Sequence, residues 1–478
     1  MASTMSECHQ SSVIPSAPSS HANISIAGDS NDTEKPPDEN SKIRLFMGIL
    51  KSKREPKFVG VADIANVRFS LPAQLLEPTP NLEYWNYLDQ PNTFIAIGTS
   101  DDPLDRMLEV LRFWFTKDLK YIKGKPCKPY NSTLGEFFRC NWEEEDSFPM
   151  VSELRASAGD SFESSGKTKH SRNSSKSSLW SSSRKKTDSI SSMKKLTGEK
   201  VKVSYLTEQT SHHPPVSAFF VDCPERGLTA CGYDQITAKF TGMSIKVSPG
   251  EHNFGFFINL KKRDNEEYHI THPVAYLGGF LRGNLTVTVA EQCTITCAKT
   301  RLKTILHYVE ESWLGKPQNR VEGVIFKYDP KNDNITKTKD VPEKDILARI
   351  SGAWRETIYF SIGPKSKTQV PLIDLGPLNI GKKLLPPIAQ QLENESRRQW
   401  APVTDAINAR QFGLATKLKL ELEEKQRLRL KEREDGGKQW SPNFFVDAMT
   451  PEGRPTLTAK GVEALSALQR GEWGLSEN

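Results

Sequence analysis

Between Lys202 and about Glu310 the chain alternates apolar and polar residues through one short segment after another. Val201-Lys202-Val203, Met243-Ser244-Ile245-Lys246-Val247, Phe256-Phe257-Ile258-Asn259-Leu260 and Asn284-Leu285-Thr286-Val287-Thr288-Val289 all carry this period of two. Successive side chains on a strand point to opposite faces, so each segment reads as a half-buried strand. Turns containing Gly, Asn and Asp separate the segments at short spacing, which predicts an antiparallel meander. Many consecutive strands tend to curl or close. Residues 341–375 add further strands, among them Thr357-Ile358-Tyr359-Phe360-Ser361-Ile362. No repeat of 20–50 residues is evident.

The remainder of the 478 residues is less regular. Only 36% of residues are apolar, low for a chain folded throughout, so part of it is expected to be disordered. Residues 1–40, rich in Ser, Pro, Asn and Asp, read as a disordered tail. Residues 151–199, with 16 serines, read as a disordered surface insertion whose positive charge phosphorylation would erode. Residues 151–200 hold 11 Lys and Arg against 5 Asp and Glu, an excess of 6 that equals the formal net charge of the whole chain, +6. The basic character is therefore local, which argues against nucleic acid as a partner. Gly166-Lys167-Thr168 is not a phosphate loop, because Ser161 stands where the first glycine must be.

The seven cysteines are scattered and odd in number, with no CxxC pair, and no secretory signal opens the sequence. A reducing, cytoplasmic setting is expected. Cys293 and Cys297, in the alternating run CTITC, would share one strand face as packing residues. No apolar run approaches the length of a membrane span, so any membrane contact is expected to be peripheral and transient.

Helical spacing appears in three places. Ile43, Phe46, Ile49 and Leu50 share one face of a short helix followed by Lys51, Lys53 and Arg54, either a packing helix or a mobile amphipathic lid that touches membranes. Leu104, Met107, Leu108, Leu111 and Phe115 form an apolar stripe that reads as core. Residues 414–435 read as a long charged helix, on which Lys419, Glu423 and Arg427 stand at i, i+4 and i+8 on one face. By itself this is a solvated ion-pair ladder.

Chemistry concentrates in Glu208-Gln209-Thr210-Ser211-His212-His213-Pro214-Pro215. Pro-Pro has no backbone donor and fixes φ, so it stops a strand or helix there. Two imidazoles are thereby held at the rigid end of an element, where they could meet a phosphate. Metal ligation fits less well, because neighbours on an extended chain point to opposite faces and no third ligand has the right spacing. As phosphate ligands the histidines would donate charge-assisted hydrogen bonds, each worth roughly 1.5–3 kcal/mol. In Lys128-Pro129-Tyr130-Asn131-Ser132-Thr133-Leu134-Gly135-Glu136, a Lys and an Asn three residues apart in a proline-kinked loop can offer an ammonium and an amide to one anion.

The octapeptide resembles the EQVSHHPP fingerprint of the oxysterol-binding protein family, with Thr210 in place of Val. The loop from Lys128 to Glu136 resembles that family's KPxNPxLGE segment, with Ser132 in place of proline, which makes the loop less rigid. Lys419, Glu423 and Arg427 resemble its K-x3-E-x3-R pattern, and Trp440-Ser441-Pro442-Asn443-Phe444-Phe445 its closing W-x-P-x-F-F, with Asn443 where Arg is common. Phe69-Ser70-Leu71-Pro72-Ala73-Gln74-Leu75-Leu76-Glu77-Pro78 looks like the proline-containing stretch that opens the lipid-binding domain, and Glu395-Ser396-Arg397-Arg398 with Trp400 fits a pattern of some branches.

The resemblance implies a mainly β domain with α-helices over residues 41–446, an incomplete antiparallel β-barrel around a hydrophobic lipid tunnel. A lid over about 41–90 would use Ile43, Phe46, Ile49, Leu50, Leu71, Leu75 and Leu76. A helical region would follow the barrel, and 447–478 would be a C-terminal tail. Lys128, Asn131, His212, His213, Lys419, Glu423 and Arg427 would bind a phosphoinositide headgroup, with Glu208-Gln209 ordering the histidines or a headgroup hydroxyl. The function so implied is exchange of phosphatidylinositol 4-phosphate for a sterol between membranes, with phosphatidylserine as the alternative second lipid and no cofactor or metal. A hydrolase is disfavoured, since GxSxG, HExxH and phosphate-loop signatures are all missing from the sequence. A lipid-sensing adaptor working through the insertion is a third class.

Overall fold

The computed structural model describes residues 76–124, 128–145, 147–156, 200–241, 244–279, 286–310 and 318–475, with Ser41, Gly48 and Ala73 as isolated positions. Among these residues fifteen strands form one antiparallel sheet. They are β1 (Phe137–Glu145), β2 (Lys200–His212), β3 (Pro215–Cys223), β4 (Leu228–Asp234), β5 (Ile236–Phe240), β6 (Ile245–Pro249), β7 (Phe256–Leu260), β8 (Glu266–Ile270), β9 (Val274–Gly278), β10 (Thr286–Cys297), β11 (Leu302–Tyr308), β12 (Arg320–Lys327), β13 (Ile346–Ala353), β14 (Thr357–Ile362) and β15 (Val370–Asp374). The meander expected from alternation is present, and the segments 256–260 and 357–362 match strands residue for residue. Cys293 and Cys297 are both buried on one face of β10, as the alternation implied.

The order runs β1-β2-β3-β4-β7-β8-β10-β11-β12-β13-β14-β15, with β5, β6 and β9 as a side branch. The branch exists because β10 is long enough to change partners. On one edge its residues 286–290 pair with β9 and 295–296 with β8, while 291–297 pair with β11 on the other. At the switch, Glu291 adopts φ +66°, a left-handed turn of the backbone that re-aims the strand.

The sheet is not closed, and β1 and β15 end its main path. The outer edge of β1 is nevertheless paired. Asn141 and Leu384 exchange backbone hydrogen bonds of 2.9 and 2.7 Å, and the Phe137 amide donates to the Asn394 carbonyl at 3.2 Å. The chain after β15 therefore returns to the first strand and closes its outer edge at Phe137 and Asn141.

One face of the long strands forms the main core. Trp142, Tyr205, Phe219, Phe256, Ile295, Leu306 and Phe360 lie on it, all buried. Against this face packs α1 (Pro103–Thr116), capped by Asp102, whose carboxylate accepts from the Leu104 amide at 2.8 Å. The helix is buried on every side from Asp105 to Thr116, more than the predicted stripe requires, and two of its charges are paired, Arg106 with Glu266 at 2.7 Å and Asp105 with Arg155.

The opposite face of β1–β3 is covered by α4 (Ala459–Arg470), after α2 (Ser396–Asn408) and α3 (Phe412–Asp435). Leu465 and Leu468 of α4 bury against Phe137, Leu206, Val216 and Ala218, together with Phe444 and Phe445. Residues 447–475 are thus built into the fold rather than trailing from it as a tail. Two buried polar contacts reinforce this. Asn141 Nδ2 donates to the Leu468 carbonyl at 2.6 Å, and an Arg139 guanidinium nitrogen to the Trp473 carbonyl at 2.6 Å.

The insertion also begins later than composition suggested. Residues 151–156 are helical, Val151 is buried in the main core, and Arg155 pairs with Asp102 and Asp105. The remainder, 157–199, lies outside the described residues, as do the tail 1–40 and the lid positions Ile43, Phe46, Ile49, Leu50, Leu71 and Leu75. Leu76, the one predicted lid residue that is described, is buried with Ala73, Tyr130, Trp400, Phe412 and Ala415.

Candidate functional site

The two histidines occupy the hairpin between β2 and β3. His212 is the last residue of β2 and pairs with Pro215, so His213 and Pro214 form a two-residue turn with a cis peptide between them. A register shift between Gln209 and Ser211 precedes the turn. The expectation that neighbouring histidines point apart fails here, because the strand ends between them. Their ring centroids lie 4.7 Å apart and both side chains are exposed. Among the described residues no group of three or more His, Cys, Asp or Glu could hold a metal ion.

The first half of the octapeptide is framework. Glu208, fully buried, accepts from the amides of Asn443 and Phe444 at 2.8 and 2.9 Å. Burial pushes its carboxyl up to about 7, against the pull of those amides. Gln209 accepts from Ser217 Oγ at 2.7 Å and donates to the Ser211 carbonyl at 2.6 Å, bracing the turn from within. Thr210 Oγ1 donates to the Ala448 carbonyl at 2.7 Å, a bond that the valine of the family pattern could not make. Glu208 and Thr210 thus anchor the segment 443–448, while Gln209 is the residue that orders the histidine turn.

The Lys128 loop runs alongside. The β1–β2 ladder continues beyond β1, with Gly135 N donating to the Gln209 carbonyl at 3.0 Å and Gln209 N to the Glu136 carbonyl at 2.8 Å. Gly135 has φ +76°, which the turn requires of a glycine, and it lies against the Trp440 ring, which a Cβ would touch in ordinary contact at 3.6 Å. Glu136 is a buried hub. Its carboxylate accepts from Thr133 N (2.9 Å), Ser396 Oγ (2.7 Å), Gln399 Nε2 (3.0 Å) and Trp400 Nε1 (3.1 Å). Burial raises its pKa even so. On this frame Lys128 and Asn131 are exposed and in contact, Lys128 Nζ donating to Asn131 Oδ1 at 2.7 Å.

Tyr130 joins the loop to the helices. It stacks on Trp400 with centroids 4.6 Å apart, and Trp400, Phe412 and Ala415 then link α2 to α3 in one apolar cluster. Lys419 sits beside that cluster, buried to 4% exposure, and pairs with Glu423 at 2.7 Å. Arg427 does not complete the expected ladder. It is exposed and pairs with Glu424 at 2.8 Å instead. Burial of Lys419 is the part that helical spacing could not show.

Glu395-Ser396-Arg397-Arg398 is also framework. Glu395 pairs with the fully buried Arg139 at 3.2 Å, Ser396 bonds Glu136, Arg397 forks onto Glu83 through two bonds of 2.7 Å, and Arg398 bonds the Gln391 carbonyl.

A family model described as oxysterol-binding protein matches residues 62–464. Oxysterol-binding protein-like protein 1 of Schizosaccharomyces pombe is 43% identical, over 92% of this chain and 93% of that protein. Human oxysterol-binding protein-related protein 11 is 30% identical over 79% of this chain, and the match spans 46% of the human protein. Among solved structures, the Osh1 ORD domain in complex with ergosterol superposes with a TM-score of 0.58 at 18% identity, covering 93% of this chain and 91% of that one. The Osh3 ORD in complex with PI(4)P from Saccharomyces cerevisiae gives 0.57 at 16% identity, covering 92% and 95%.

Proposed function

This chain belongs to the oxysterol-binding protein family, and we propose that it is a lipid carrier that exchanges phosphatidylinositol 4-phosphate for a sterol between membranes. The observation that carries the reading is the convergence of three distant segments. Residues 128–136, 208–215 and 440–445 interlock through Gly135, Glu208 and Trp440, and they leave Lys128, Asn131, His212 and His213 exposed on a buried frame. Exposed donors on a rigid base suit a phosphate that must be gripped and released. Solved structures of the fold with ergosterol and with PI(4)P support the pair of cargoes.

The physical need is plain. At about 0.8 kcal/mol per buried CH₂, moving a sterol-sized molecule through bare water costs roughly 15–20 kcal/mol, which a closed interior largely removes. A phosphate cannot follow the acyl chains into such an interior and must stay on cationic groups at its mouth. Membrane contact is peripheral in this reading, and among the described residues no helix is long and apolar enough to cross a bilayer. Nothing favours phosphatidylserine in particular, because Glu395 to Arg398 are engaged in the framework.

The test is extraction of phosphatidylinositol 4-phosphate from liposomes by wild type and by His212→Ala/His213→Ala. Both side chains are exposed, so the fold should survive while extraction falls at least tenfold, the loss of one to two charge-assisted bonds at roughly 1.5–3 kcal/mol each. Undiminished extraction by the double variant would remove the histidines from the site.

A further inference from the structure

The apolar main core contains an ionic cluster that strand packing does not explain. Lys117, just beyond α1, pairs with Asp118 and lies over the rings of Trp114 and Tyr87 at 4.3 and 5.2 Å. Lys120 reaches Asp89 at 3.1 Å and Asp118 at 3.2 Å. Asp234, the last residue of β4, accepts from Tyr87 Oη at 2.5 Å and makes no ion pair among the described residues. His272, after β8, stacks on Tyr87 with centroids 5.6 Å apart. Asp118, Asp234 and His272 each keep some accessible surface although Tyr87 and Trp114 beside them belong to the buried main core, so the cluster borders a space that water can enter.

Charge counting singles out one member. Two ammonium groups, Lys117 and Lys120, face three carboxyls, Asp89, Asp118 and Asp234, so full ionisation leaves one uncompensated negative charge inside the core. Asp118 is held far below the usual carboxylate range, because Lys117 and Lys120 more than reverse the effect of burial. Asp234 has a phenol for its partner. Burial raises it to about 7, against the Tyr87 hydrogen bond and the attraction of Lys117 and Lys120, with Asp118 adding to the rise. Burial, with Lys117 adding to it, pushes His272 down to about 3, so it stays neutral. Tyr87 and Tyr205 are both raised well above 10, by burial first and by Asp234 second, and stay protonated. Asp234 is therefore the group of this cluster that changes charge near neutrality.

We propose that Asp234 is a proton switch in the wall of the interior: uncharged, it lets an apolar cargo sit against the wall, and ionised, it draws in water and loosens that cargo. The switch rests on the carrier reading above and gives it a regulation. A carboxyl whose folded pKa is raised binds its proton more tightly in the folded state. Its contribution to stability is complete below the unfolded value near 4 and is lost as pH rises to about 7.

The experiment compares wild type with Asp234→Asn, whose amide keeps the uncharged form and a partner for Tyr87. Equilibrium binding of a fluorescent sterol is read from pH 6 to pH 8, because a sterol carries no phosphate for the exposed histidines. If only the uncharged form binds, wild-type affinity falls about tenfold over that interval, and Asp234→Asn varies less than about twofold. In cargo-free protein, the wild-type melting temperature should fall relative to Asp234→Asn as pH rises from 5 to 8. Sterol binding with parallel pH profiles, or melting curves that stay parallel, would overturn the switch alone. Failure of both proteins to bind sterol at any pH would take down the carrier reading for that cargo, and the switch with it.

Discussion

Arg139 and Glu395 allow a quantitative test of the frame beneath the site. Their side chains are 0% and 2% exposed, and they meet through two bonds of 3.2 and 3.4 Å. Arg139 also holds the Trp473 carbonyl, so this one guanidinium joins β1, the start of α2 and the segment after α4. Glu395→Gln leaves a buried guanidinium that cannot shed its proton, and should destabilise by about 3–5 kcal/mol. Arg139→Met leaves a carboxyl that can respond. Burial already raises Glu395 above its ordinary value, with Arg139 opposing the rise, so without the arginine it takes up a proton more readily. That variant should sit at the low end of the same range at pH 6 and lose more stability by pH 8. The double variant should cost about 2–3 kcal/mol less than the sum of the singles, since no lone ion remains. Guanidinium chloride unfolding, followed by tryptophan fluorescence with unchanged m, measures all three. Single variants within about 1 kcal/mol of wild type, or costs that simply add, would refute the assignment of this pair as a buried strut.

Two further outcomes follow from the fold. Leu468→Ala, fully buried among Phe137, Leu206 and Leu465, should lose about 2–5 kcal/mol in the same assay, whereas a dispensable tail would lose almost nothing. Replacing residues 157–199 with a short Gly-Ser link should leave melting within a few degrees and liposome extraction intact, because loop-closure entropy grows only slowly with length and Glu145 still faces Lys200 across the β1–β2 ladder. Loss of extraction with an intact melting curve would instead give the insertion a role in transfer.

Strand periodicity in the sequence carried most of the sheet, because alternation reports directly which side of a strand is buried. The residues 256–260 and 357–362 were legible for that reason. Partner changes were not. Nothing local distinguishes the two halves of β10, and the switch at Glu291 depends on which strands lie on either side. The last helix is marked in the sequence by Thr458 as cap, by Ala464, Leu465 and Leu468 at helical spacing, and by Gly471 as stop. The histidine turn and the Lys128 loop were visible as motifs. The division of labour inside them was not, because Glu208, Thr210 and Glu136 find their partners over 235, 238 and 260 residues of sequence. The interior charges were hidden for the opposite reason. A lysine next to an aspartate looks solvated in any sequence, and only the surrounding strands make Lys117 and Asp118 an internal pair.

The return of the chain to β1 sets a timetable for biosynthesis. The first strand of the sheet acquires its second neighbour only when residues 384–394 emerge, and its other face is covered only by residues beyond 440. A ribosome delivering some 5–20 residues per second leaves that outer edge raw for roughly 12 seconds or longer, while β2 shields only the other edge. The molecule is finished from its end backwards, and a nascent chain stalled before that point should be among the stickiest forms this polypeptide ever takes.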